Sequence, residues 1–145
     1  MKSKLIGSGT QAYVFSIGNI VLKVFRSGKS PNSKLNKLLK KIDPDKLYFQ
    51  WHDVVRGQPK VVIMEKLDKL VDPKKLTRTQ YRHLRKAVDI LQEHKILHGD
   101  LPGNVMLNPQ TKLPVIIDFD SGKINVSKDL LVIDRNAFLT FFKAN

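Results

Sequence analysis

Apolar residues recur along this chain in two rhythms. Residues 12–25 read AYVFSI and IVLKVF around Gly18-Asn19. Two β-type runs joined by turn-forming residues predict a hairpin. In residues 30–42 the rhythm changes, and Leu35, Leu38, Leu39 and Ile42 fall at i, i+3, i+4 and i+7 with lysines opposite. That spacing predicts a helix, opened by Ser30 as N-cap with Pro31 in its first turn and ended at Asp43-Pro44. The β rhythm returns in 47–55, LYFQWHDVV, and 60–64, KVVIM, around Gly57. Residues 65–73 form a connector. Thr77 and Gln80 then have the spacing of a capping box, and Leu84, Ala87, Val88 and Leu91 carry a second amphipathic helix to about His94. Two short strands, near 105–108 and 114–118, flank a turn at residues 109–112. From Ser127 a last helix places Leu130, Asp134, Ala137, Phe138, Phe141 and Phe142 on or near one face.

This order predicts an α+β fold. The strands gather in the first part, about residues 1–66, and the helices in the second, about 67–145. The chain of 145 residues fits one domain, with no internal repeat or low-complexity linker.

Charge changes the picture more than composition does. Lys plus Arg number 26 against 13 for Asp plus Glu, a net charge of +13. Such a field favours nucleic acid, nucleotides or an acidic partner; a solubilising lysine-rich surface accounts for it equally. There is no cysteine, which excludes disulfides, thiolate metal sites and cysteine nucleophiles. The first residues, MKSKLIGSGT, lack the apolar stretch of a signal peptide, and no apolar run is long enough to span a membrane. An intracellular protein, in cytoplasm or nucleus, is expected.

Four pieces of the sequence carry candidate chemistry. Gly7-Ser8-Gly9 precedes a strand; glycine N–H groups can cradle phosphates, and a hairpin turn uses the same residues. Lys23 stands inside the apolar run IVLKVF. It needs an anionic partner there, unless it faces water from an edge strand. LHGDLPGNVMLN, residues 97–108, places His98, Asp100 and Asn104 around a Pro-Gly turn. VIIDFDSG puts Asp118 at the end of an apolar strand, where it caps a turn or faces a site. Two carboxylates and an amide oxygen are hard ligands suited to Mg²⁺.

In this chain order the pieces resemble the protein-kinase-like superfamily over roughly residues 5–140. HGDL in place of HRDL resembles its atypical branches, including RIO-type kinases, and the tail KDLLVIDRNAFLTFF is similar to that of the small kinase of the tRNA-threonylcarbamoylation (KEOPS) complex. The resemblance implies a minimal two-lobed fold with a strand-rich N-lobe and a truncated helical C-lobe. The chain ends 27 residues after Asp118, too soon for a large helical lobe. It implies ATP and Mg²⁺ as cofactors. Gly7, Ser8 and Gly9 would cover the phosphates, with Ala12 where a third glycine usually stands. Val14 would pack on adenine, and Lys23 would pair with the α- and β-phosphates. Met64 would precede a hinge whose backbone, from Glu65 to Leu67, bonds adenine. Asp100 would accept the proton of the attacking hydroxyl or orient it, Asn104 and Asp118 would hold the metal, and His98 would tie the loop to the metal segment.

Three features depart from the family pattern. Asp100 and Asn104 are four residues apart, one fewer than usual. The helix at 30–42 contains no glutamate to pair with Lys23; the nearest acids are Asp43 and Asp45, and Asp118 is the expected substitute partner. Asp120 stands where the family has a glycine. The expectation is therefore a minimal ATP-dependent phosphotransferase or ATPase acting on a protein hydroxyl. The alternative is a pseudokinase that binds nucleotide or a partner, with RNA or a nucleoprotein complex among the candidates raised by the charge. No membrane partner is expected.

Overall fold

The computed structural model describes residues 4–8 and 11–145. It is mixed α+β, with three helices and two antiparallel sheets. The predicted hairpin is formed by β2 (Ala12–Ile17) and β3 (Ile20–Phe25), turning at Gly18-Asn19. β1 (Lys4–Ser8) pairs with β2, while β5 (Gln58–Glu65) pairs with β3 and β4 (Asp53–Val55). The resulting sheet has the order β1-β2-β3-β5-β4. β3 is therefore a central strand, and Lys23 is not an edge lysine.

Alternation decides where Lys23 points. Directly opposed residues in a ladder share a face. Val14 opposes Lys23, Ala12 opposes Phe25, and Val21 opposes Met64. Ala12, Val21 and Phe25 are buried, so Lys23 is carried to the inner face between apolar neighbours.

The first helix, α1 (Ser33–Ile42), starts later than Ser30 would place it. Its N-cap is Asn32, and Asn36 N–H makes the first turn's bond to the Asn32 carbonyl. The Asn32 side chain does not cap the helix; it reaches across to the carbonyls of Phe119 and Gly122, at 3.4 and 3.0 Å. Leu35 and Leu39 are buried, as the apolar spacing requires.

The long strand predicted over 47–55 is cut down to β4. The buried carboxylate of Asp43 is the reason. It accepts the backbone N–H groups of Leu47, Tyr48 and Phe49 at 2.8–2.9 Å, so these donors are spent on a side chain instead of a ladder. The Trp51 indole N–H adds a bond to the Asp43 carbonyl at 2.8 Å. The same segment crosses to the second sheet: Gln50 N–H donates to the Ile116 carbonyl, and Ile116 N–H to the Tyr48 carbonyl.

That sheet has the order β6-β7-β8, formed by β6 (Asp68–Lys69), β7 (Val105–Leu107) and β8 (Pro114–Ile116). β6 lies within the stretch read from sequence as a connector. α2 (Arg78–Glu93) begins with the expected capping box, Thr77 and Gln80 bonding reciprocally at 3.0 Å. α3 (Lys128–Phe141) closes the chain, with Leu131, Asp134 and Phe138 buried. One core joins all three helices to the second sheet, through Leu35 and Leu39, Leu84 and Leu91, Ile116 and Phe119, and Phe138 and Phe142. Among the described residues no helix is long and apolar enough to cross a membrane.

Candidate active site

A cleft of about 210 Å³ opens between the inner face of the five-stranded sheet and the segment that follows β8. Five of the residues named from sequence for nucleotide binding line it: Val14, Lys23, Met64, Glu65 and Leu67. Asp118 and Asp120 line it as well. α1 and its N-cap contribute Asn32, Asn36 and Leu39, and Gln50, His52 and Lys66 add to the polar part of the wall.

Lys23 is the focus of the charge. Its ammonium is bonded to the Asp120 carboxylate and lies 3.6 Å from Asp118 Oδ1. The side chains of Lys23 and Asp120 are 12% and 11% exposed, whereas that of Asp118 is 49% exposed and free to meet a ligand. The expected substitute partner, Asp118, is thus the more distant of the two; Asp120 makes the close pair. Asp43 does not reach Lys23, because its carboxylate is committed to the 47–49 backbone. Burial pushes the Asp120 carboxyl above its ordinary value, the Lys23 ammonium pulls it back, and Asp118 adds to the upward push.

Asp118 adopts φ +59, in the left-handed region. Such a conformation is disfavoured for a residue with a Cβ, and it is one reason the strand stops at Ile116 rather than 118. The other lies in the backbone of Ile117. Its N–H donates to the Asn104 carbonyl at 2.9 Å, and its carbonyl accepts from His98 Nε2 at 2.7 Å. Both ends of the 98–104 loop are thereby fastened to the residue before Asp118.

That loop is built on a second buried acid. Asp134, on α3, is 0% exposed, and its two oxygens accept the N–H groups of His98 and Gly99 at 2.7 and 2.9 Å. His98 Nδ1 accepts from the Asp100 N–H at 3.1 Å, so a ring protonated on Nε2 serves both of its bonds. Pro102-Gly103 makes a tight turn closed by Asn104 N–H to the Leu101 carbonyl at 3.1 Å. Gly103 has φ +82, the conformation a type II turn needs at that place. The Asn104 amide N–H donates to the Asp100 carbonyl at 2.6 Å, leaving Oδ1 as the acceptor of that side chain. Asp100 is exposed. Asp100 and Asn104 do not line the cleft; Asn104 adjoins it through its carbonyl, which accepts from the lining residue Ile117.

The remaining residues are placed as follows. Gly7 and Ser8 belong to β1, opposite Val14 and Tyr13; Gly9 lies outside the described residues. The Glu65 carbonyl accepts from Gln50 Nε2 at 3.0 Å, its carboxylate pairs with Lys46 at 2.9 Å, and Lys66 N–H donates to the Asn19 carbonyl at 3.0 Å. Of the expected hinge, Leu67 keeps its backbone clear of these bonds.

Sequence reasoning missed Asp134 and His52. Asp134 had a signal, an acid on the apolar side of the last helix. His52 had none. It lines the cleft with a buried Nδ1 that has no hydrogen-bond partner, and its pKa is lowered to about 4 by burial first and then by Lys23.

Among the described residues no group of three or more His, Cys, Asp or Glu is arranged to hold a metal ion. Asp118, which lines the cleft, and Asn104, which does not, carry oxygen donors of the kind Mg²⁺ takes. No protein-family model and no curated protein matches the chain.

Proposed function

We propose that this chain is a minimal kinase-like phosphotransferase that uses ATP and Mg²⁺, with a protein hydroxyl as acceptor, and that residues about 1–66 and 67–145 act as its two lobes. One observation carries the reading: a single cleft collects Lys23, Asp118 and the 64–67 segment from distant parts of the sequence. An apolar slot (Val14, Val21, Met64, Leu67) ending in a lysine and an acid suits a purine with a polyphosphate.

Each residue has a task in that reading. Val14 and Met64 sandwich the base, and the Leu67 backbone bonds its edge. Lys23 neutralises phosphate oxygens. Asp118 and Asn104 Oδ1 are the residues that would hold Mg²⁺, which when bound would neutralise charge on the transferred group. Asp100, exposed on a loop that Asp134 and His98 hold in shape, takes or orients the acceptor's hydroxyl proton. Gly7 and Ser8, on the strand paired with Val14 and Tyr13, would cover the phosphates.

The alternative is a binding module without transfer, favoured by the shortened 100–104 loop. Incubation with γ-labelled ATP and Mg²⁺, scoring transfer to the protein itself, to a basic and an acidic protein, and to water, separates them. Phosphate release or transfer that disappears in Asp100→Asn is the expected result. No turnover by a folded wild type that still binds ATP would identify a binding module.

A further inference from the structure

From the cleft geometry we infer that Asp120 is the positioning residue for Lys23, replacing the helix acid this chain lacks. The inference rests on reading the cleft as a nucleotide site. α1 and its N-cap offer the cleft only Asn32, Asn36 and Leu39, none of them charged. Asn36 is already committed, exchanging two bonds with the His52 backbone at 2.8 and 2.9 Å. A buried ammonium needs a counter-charge, and the close one is Asp120, two residues beyond Asp118.

The turn that carries Asp120 is held from three sides. Gly122 N–H closes it on the Phe119 carbonyl at 2.9 Å. The Asn32 amide bonds the carbonyls of Phe119 and Gly122. Gly122 itself lies where a Cβ would come 2.5 Å from Leu35 Cδ2 and 3.1–3.2 Å from two backbone carbonyls. A larger residue there would have to push the buried Leu35 side chain aside and crowd both carbonyls. The metal-facing acid and the lysine-holding acid thus share one short, fixed turn. In the usual arrangement the lysine's acid rides on a helix, and movement of that helix controls the pair. Here the pair is assembled without an acid on α1. The pair holds the Lys23 ammonium in the cleft, 3.6 Å from Asp118 Oδ1.

A double-mutant cycle tests this, read as ATP affinity by calorimetry with Mg²⁺ and again in EDTA, alongside thermal melting of each variant. Asp120→Asn and Lys23→Met should each weaken binding about tenfold or more in both conditions. The double variant should be no weaker than either, and Asp120→Glu should recover part of the loss. Independent, multiplying losses would overturn the proposal and leave the nucleotide reading intact. So would a loss seen only with Mg²⁺, which would make Asp120 a metal ligand. Absence of any nucleotide binding by wild type would sink both. Should Asp120→Asn fail to fold, Lys23→Met against the double variant decides: equal affinities support the pair, and a further loss overturns it.

Discussion

The platform under residues 98–104 and the cleft around Lys23 both depend on aspartates, and they use them in opposite ways. Asp134 is fully enclosed and spends its oxygens on two backbone N–H groups. Asp43 does the same with three. Among the described residues Asp118 and Asp120 accept no backbone N–H; they face a lysine and a cavity. A carboxylate saturated by peptide donors fixes a loop. One paired only with a side-chain charge can exchange that partner for a ligand. The comparison predicts that scaffold and cleft separate cleanly under mutation.

The largest effect belongs to the scaffold. Asp134→Ala strips two backbone donors of their acceptor and opens a cavity, so it should destabilise the chain by roughly 3 kcal/mol or more. Denaturant unfolding checks this, and a loss below about 1 kcal/mol would break the comparison. Asp118→Asn is the counterpart. It should leave unfolding within about 1 kcal/mol of wild type, since the group is half exposed, while lowering phosphate transfer by at least about 100-fold. A smaller cost, about 1–3 kcal/mol, is expected for Gly122→Ala, which overfills the contact between α1 and the 119–122 turn. Melting of that variant, with ATP affinity measured beside it, shows whether the turn and Lys23 move together.

The smallest effect is a pH dependence. The folded value for His52, about 4, lies below its ordinary 6.5. Between those values the unfolded chain takes up a proton that the folded ring refuses. Stability present above pH 6.5 should therefore decline as pH falls toward 4. The ring is partly exposed, so the slope should total about 1–2 kcal/mol after screening. In His52→Gln that part of the profile should be flat.

Much of this was legible in the order of residues. The β2–β3 hairpin, the α2 capping box and the apolar faces of α1 and α2 follow from local pattern, because turn chemistry and periodicity act within a few positions. Lys23 beside Asp118 was readable from motif order. What escaped depends on long-range bonds. The segment 47–55 has strand-forming residues, yet Asp43 diverts its N–H groups. β8 ends early because Ile117 is held by both Asn104 and His98. Asp120's hold on Lys23 spans 97 positions and shows only once β3 and the 119–122 turn meet. Asp134 was visible as an acid on an apolar face, but its two N–H partners were not.

The most direct test of the cleft as a nucleotide site is an amide NMR titration of the full chain with Mg²⁺ and ATP. The account predicts saturable shifts concentrated at Val14, Lys23, Met64, Leu67, Asp118 and Asp120, with α3 largely still. Shifts absent from the cleft at millimolar nucleotide, or confined to the lysine-rich exposed face of α1, would contradict it.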